Sequence, residues 1–199
     1  MRLGVLGGTF DPAHTGHLVL AEQAREQLRL DRVLWVPAGD PWRKAGEPVS
    51  AAEDRLAMVQ LAIDGNDAFE VSTTELDRPG PTYTLDTLRQ LHGEYAAEEL
   101  VFLMGLDALW DLPNWHRPAE LVRLALLGVA RRGDEQPRLA ELERQLPGLE
   151  ERVRWVKMPR LDISGTELRR RAAEGQSLRY LVPPAVADYI DEHHLYGHA

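Results

Sequence analysis

Apolar, β-branched runs alternate with helical periodicity along the whole chain. The runs at 3–6, 33–36, 69–72, 100–104, 126–130 and 153–156 predict strands. Segments 15–28, 50–63, 84–91, 119–124, 138–146, 165–174 and 184–193 predict helices. Short continuous apolar runs bounded by turn residues fit strands covered on both faces. Ser50 followed by Glu53, and Ser164 followed by Glu167, read as capping boxes, and Pro184 suits the first turn of a last helix. Strand–helix alternation of this kind implies an α/β, Rossmann-like, doubly wound and mostly parallel sheet with helices on both faces. The expected organisation is one domain over 1–199, with a C-terminal helical part from about residue 160. Residues 133–150 are polar and charged and predict an exposed helix with loops.

Composition narrows the class. Hydrophobic residues make up 44% of the 199, enough for a substantial core. There is no cysteine, which removes disulfides, thiolate metal sites and cysteine nucleophiles. No apolar run reaches the length of a membrane span, and the N-terminal residues do not read as a secretory leader, so a cytoplasmic location is expected. The net charge of −9 argues against a protein that mainly grips nucleic acid. Of the 23 basic residues only Lys44 and Lys157 are lysines, the first in a loop and the second in a predicted strand.

In doubly wound sheets the ligand sits outside the carboxyl ends of the strands, so the loops after the first, second and fourth strands matter most. These are 7–17, 37–48 and 105–117. The first reads Gly-Gly-Thr-Phe-Asp-Pro-Ala-His-Thr-Gly-His and joins a strand to a helix. A glycine-rich turn lets backbone N–H groups approach an anion, and the helix N-terminus adds partial positive charge. His14 and His17, three residues apart, lie on one side of the first helical turn. The segment lacks both G-x-G-x-x-G and the Gly-Lys-Ser/Thr of a phosphate-binding P-loop. A zinc site would need ligands beyond the two histidines. Phosphate chemistry at the end of the first strand is what remains.

The same residues resemble the signature of the nucleotidyltransferase superfamily that carries an H-x-G-H motif. A second superfamily motif is matched by Ile163-Ser-Gly-Thr-Glu-Leu-Arg169. Within that superfamily the chain is similar to the bacterial nicotinate-nucleotide adenylyltransferase family. Gly80-Pro-Thr-Tyr-Thr-Leu-Asp-Thr-Leu88, the segment from Gly105 through Asp107 to Trp115, and Tyr180 to Ile190 carry this narrower likeness. The resemblance implies attack by the phosphate of nicotinate mononucleotide on the α-phosphorus of ATP, giving deamido-NAD and pyrophosphate. Nicotinamide mononucleotide is the alternative acceptor. Mg²⁺ is expected to travel on ATP and pyrophosphate, with no metal held by protein ligands alone. No nucleic-acid or membrane partner is expected, and a homo-oligomer stays open.

The resemblance also assigns roles. His14, His17, Lys44 and Arg169 are the catalytic group, serving as phosphate donors and cations. Gly7, Gly8, Thr9, Phe10, Gly105, Asp107, Ser164, Gly165 and Thr166 join His14, His17 and Arg169 around ATP, with Asp107 an acceptor for ribose hydroxyls. Thr9, Phe10, Lys44, Thr82, Tyr83, Thr84 and Trp115 surround the mononucleotide, where an indole face can stack on a pyridinium ring. Gly16 leaves room for close approach, and Asp11 shapes the Asp-Pro turn. Two positions depart from the family pattern. Arg43 stands where histidine is common, which keeps charge and removes imidazole chemistry. Gly165 stands where serine is common, which removes one hydroxyl. His193, His194 and His198 read as an exposed tail.

Overall fold

Side chains of a strand point alternately to opposite faces, so a strand that is apolar at every position has to be covered on both. The computed structural model describes residues 1–40, 49–95, 99–132 and 139–197. In chain order these form β1 (Arg2–Gly8), α1 (Thr15–Leu28), β2 (Arg32–Pro37), α2 (Ala52–Ile63), β3 (Phe69–Val71), α3 (Thr84–Tyr95), β4 (Glu99–Gly105) and α4 (Leu106–Trp110). A 3-10 turn at Leu112–Asn114 leads into α5 (Pro118–Leu124), β5 (Leu126–Arg132), α6 (Ala140–Gln145), α7 (Leu149–Arg152), β6 (Val153–Met158), α8 (Gly165–Ala173) and α9 (Pro184–Glu192). The strands lie in the order β3-β2-β1-β4-β5-β6, and every pairing is parallel. The order reverses between β1 and β4, where Leu6 pairs with both Trp35 and Leu103. That reversal opens a crevice at the carboxyl ends of β1 and β4.

The sheet separates two cores. Val5, Leu34, Val36, Leu100, Phe102 and Met104 face one layer with Leu85, Leu88 and Leu91 of α3. Leu6, Val33, Trp35, Val101 and Leu103 face the other, with Leu20 of α1, Met58 and Val59 of α2, and Val186 and Ile190 of α9. Burial of each such side chain contributes about 1.5–3 kcal/mol, so the two layers dominate stability. No helix among the described residues is long and apolar enough to cross a membrane.

The predicted strands and the seven predicted helices form, with boundaries shifted by a few residues. Three details differ. Helix α2 begins at Ala52 with Ala51 at its cap and no side-chain capping bond, so the Ser50 box is not made. Ser50 instead donates its N–H to Asp11 Oδ2 at 3.3 Å and offers its carbonyl to Arg55 Nε at 3.0 Å. The Ser164 cap does form, accepting from the Glu167 N–H at 3.3 Å, while the Glu167 carboxylate turns to Arg170. The short helices α4 and α7 and the 3-10 turn carry too little periodicity to be read in sequence. The described part of 133–150 is less exposed than expected, because Leu142, Leu146 and Leu149 are buried in the α3 layer.

Candidate active site

The loop after β1 turns back under its own side chains. Phe10 adopts a left-handed backbone (φ 52°) and is 2% exposed. That conformation costs a bulky residue about 1–2 kcal/mol, which burial of the ring, worth about 2–3 kcal/mol, offsets. The Phe10 ring packs edge-on against His17 at 5.0 Å and lies 5.4 Å from Trp35, so it supports the histidine from below. Only the backbone of Phe10 is left for a ligand.

His14 caps α1, and His17 is the third helical residue. The His14 N–H donates to His17 Nδ1 at 3.2 Å, the backward reach of a capping box made by imidazole. Accepting at Nδ1 leaves the proton of neutral His17 on Nε2. The two rings stack at 3.6 Å with an 18° interplanar angle. A Cβ at Gly16 would stand 3.1 Å from the His14 ring, so the glycine makes room for that ring. Burial holds His14 down to about 4 and His17 well below its ordinary value. Both are therefore neutral N–H donors near pH 7. The Nδ1 atom of His14 is buried and has no hydrogen-bond partner.

From the other end of the chain, α8 brings Arg169 to the same loop. Arg169 Nη1 donates to the Asp11 carbonyl at 2.8 Å, and Nη2 donates to Thr166 Oγ1 at 3.4 Å. A Cβ at Gly165 would sit 3.0 Å from the Asp11 carbonyl oxygen, so the two loops meet closely there. A pocket of about 230 Å³ results, lined by Thr9, Phe10, Asp11, Pro12, His14, His17, Gly165, Thr166 and Arg169.

A second cleft of about 550 Å³ opens along the β1/β4 reversal. Gly7, Gly8, Thr9, His17, Glu75, Thr82, Thr84, Phe102, Gly105 and Trp115 are among its lining residues. Trp115 donates Nε1 to Asp111 Oδ2 at 3.1 Å, packs at a steep angle to Phe102 at 5.9 Å, and lines the cleft. Thr84 begins α3, which directs that helix's N-terminal end at the cleft. Thr9 and His17 line both cavities.

The structure thus brings together most residues singled out in the sequence, and leaves some apart. Tyr83 stacks on His116 at 4.2 Å and is not among the residues lining either cavity. Asp107 is exposed on α4 and Ser164 is used as the cap of α8; neither lines a cavity. The Thr82 N–H and hydroxyl both go to the Asp40 carbonyl, at 3.1 and 3.4 Å. Arg43, Lys44 and His198 lie outside the described residues. His193 is exposed and stacks on Tyr189 at 4.0 Å, and His194 is exposed as well.

Two functional neighbours were not read from sequence. Arg55, 2% exposed, donates to the carbonyls of Ser50, Thr9 and Ala38 at 3.0, 3.0 and 2.7 Å, tying the ends of β1 and β2 to the start of α2. A sequence signal existed: Arg55 falls on the same stripe as Met58, Val59 and Ala62. Burial lowers its pKa, and the carbonyls compensate its charge. Glu75, 9% exposed, borders the cleft and accepts from Thr87 Oγ1 at 2.7 Å. Only a tertiary contact marks it: a Cβ at Gly39 would stand 2.2 Å from the Glu75 carbonyl oxygen.

This arrangement matches a known lineage. The cytidylyltransferase-like family model aligns with residues 5–171. The chain belongs to the cytidylyltransferase-like family. A probable nicotinate-nucleotide adenylyltransferase of Thermomicrobium roseum is 49% identical over 98% of this chain and 91% of its own length. One of Dehalococcoides mccartyi bearing the same name is 46% identical over 98% and 97%. In fold, the chain is similar to a Plasmodium falciparum nicotinic acid mononucleotide adenylyltransferase complexed with NaAD. The TM-score is 0.78, with 18% identity over 98% of this chain and 97% of that one.

Proposed function

We propose that the chain transfers the adenylyl group of ATP to nicotinate mononucleotide, forming deamido-NAD and releasing pyrophosphate in NAD biosynthesis. The observation that carries this reading is the junction of two cavities at Thr9 and His17. It occurs in a chain whose family members at 46–49% identity carry that enzyme's name.

In this reading the triphosphate lies in the smaller pocket and the mononucleotide in the cleft. The acceptor phosphate is already ionised at neutral pH, so no general base is required. Its oxygen attacks the α-phosphorus as the bond to the β-phosphate oxygen breaks in line. His17 Nε2–H, His14 and Arg169 stabilise the charge that develops on the phosphoryl oxygens, with Lys44 a further cation in the assignment. Among the described residues no three His, Asp or Glu side chains converge into a metal cage. The divalent ion enters as part of the substrate, as MgATP.

The cleft suits a pyridinium that carries a carboxylate. The α3 N-terminus at Thr84 favours the negative group, while the Trp115 face and Glu75 favour the ring's positive charge. Gly165, where the family commonly has serine, lines the other pocket, which in this reading holds the triphosphate. Pyrophosphate release, compared as kcat/KM for nicotinate and nicotinamide mononucleotides, tests the assignment. The nicotinate form should be preferred; preference for the amide overturns the acceptor, and no release with either overturns the reaction.

A further inference from the structure

We propose that Tyr196 is a positioning residue that keeps Arg169 available to the phosphates by holding the Asp11 carboxylate away from it. Tyr196 lies 185 residues from Asp11 in sequence, beyond the last helix, and donates its hydroxyl to Asp11 Oδ1 at 2.7 Å. The Ser50 N–H donates to Oδ2 at 3.3 Å. Both carboxylate oxygens are thereby engaged, and the Asp11 side chain is only 2% exposed. Arg169 makes only a long ion pair with that carboxylate, Nη1 to Oδ2 at 3.8 Å, and hydrogen-bonds the Asp11 backbone carbonyl at 2.8 Å.

The alternative arrangement is the stronger one in isolation. A guanidinium beside a buried carboxylate favours a bidentate pair, which would draw the Arg169 head group away from the pocket it lines. Holding the carboxylate by two other donors keeps that ion pair from closing to hydrogen-bond distance. The tail is built for the task. Tyr196 adopts a left-handed backbone (φ 65°) that turns it inward, and Leu195 and Tyr196 pack on the core beside Met58. Burial beside Asp11 pushes the phenol's pKa up, so it remains a proton donor at every working pH.

The inference rests on the adenylyl-transfer reading only in that a phosphate substrate occupies the smaller pocket, so it is tested by binding as well as by turnover. Tyr196→Phe keeps the ring and removes the hydroxyl. ATP affinity, measured by calorimetry, should weaken about 5–10-fold, and kcat should fall about tenfold. In an Arg169→Gln background the same substitution should change neither quantity by more than about twofold. Tyr189→Phe, which removes a hydroxyl bonded to Asp54 at 2.9 Å on α2, should leave both unchanged. Equal losses from Tyr196→Phe in the two backgrounds overturn the inference, as does a lower melting temperature with unaltered ATP affinity and kcat. If the wild type binds ATP yet releases no pyrophosphate, the proposed reaction fails, and the affinities still decide the role of Tyr196.

Discussion

The smaller pocket and the larger cleft share two residues and are built in opposite ways. The pocket is held by directed bonds, two of them between distant segments, Arg169 to Asp11 across 158 residues and Tyr196 to Asp11 across 185, and one local, His14 N–H to His17. The cleft is largely a shape, left where two parallel strands diverge and bordered by Leu88, Phe102, Leu103 and Trp115. Directed donors can be complementary to charge that appears only in a transition state, whereas an apolar shape holds ground and transition states alike. Changes in the pocket should therefore appear in kcat, and changes in the cleft in KM.

The strongest challenge to this division is His17→Ala. It removes one preorganised donor and should lower kcat by at least about 10²-fold. Near-normal turnover in a folded variant would erase the distinction, because His17 belongs to both cavities.

Acid should strike the pocket next. Below pH about 6.5 an unfolded histidine takes up a proton that folded His14 resists down to about 4. The unfolded state then binds more protons, so stability falls as pH drops through that window, by up to about 3 kcal/mol from His14. His17 acts in the same direction. Urea midpoints measured between pH 7 and pH 4.5 should fall for wild type and fall less steeply for His14→Asn; parallel curves would remove His14 as the cause.

On the cleft side, Trp115→Ala should raise KM for the mononucleotide about tenfold while kcat stays within about threefold, in line with the worth of an aromatic stacking contact. A loss mainly in kcat would mean that the cleft too is organised for the transition state. The smallest effect is expected at the meeting of the two loops. Gly165→Ser adds a Cβ 3.0 Å from the Asp11 carbonyl, so a shift of a few tenths of an ångström should lower kcat a few-fold and leave the mononucleotide KM unaltered. A change in acceptor preference would show that the cavities are coupled more tightly than their separate linings imply.

Much of this was legible along the chain, for identifiable reasons. Strands buried on both faces write themselves as continuous apolar runs, which is why β1, β2, β4 and β5 were plain. The H-x-G-H spacing could be read because local helix geometry alone brings His14 and His17 together. Arg169 and Trp115 entered through the family likeness, and the fold carries one to the pocket and the other to the cleft. The Ser50 capping box failed because a long-range partner, Asp11, took the backbone N–H that the box would have given to Glu53, while Arg55, one turn on, took the Ser50 carbonyl.

The sequence by itself determined the alternation of strands and helices, the local turn that sets His14 beside His17, and the family. Each of these is encoded in neighbours a few residues apart. Only the tertiary structure decided that Gly16 serves the His14 ring, that Arg55 braces three loop carbonyls from inside the fold, and that Tyr83 turns away to His116. It alone brought Tyr196 to Asp11. The physical reason is shared by Arg55 and Asp11: a buried polar group must find its partner wherever the fold provides one, and sequence distance does not enter that requirement.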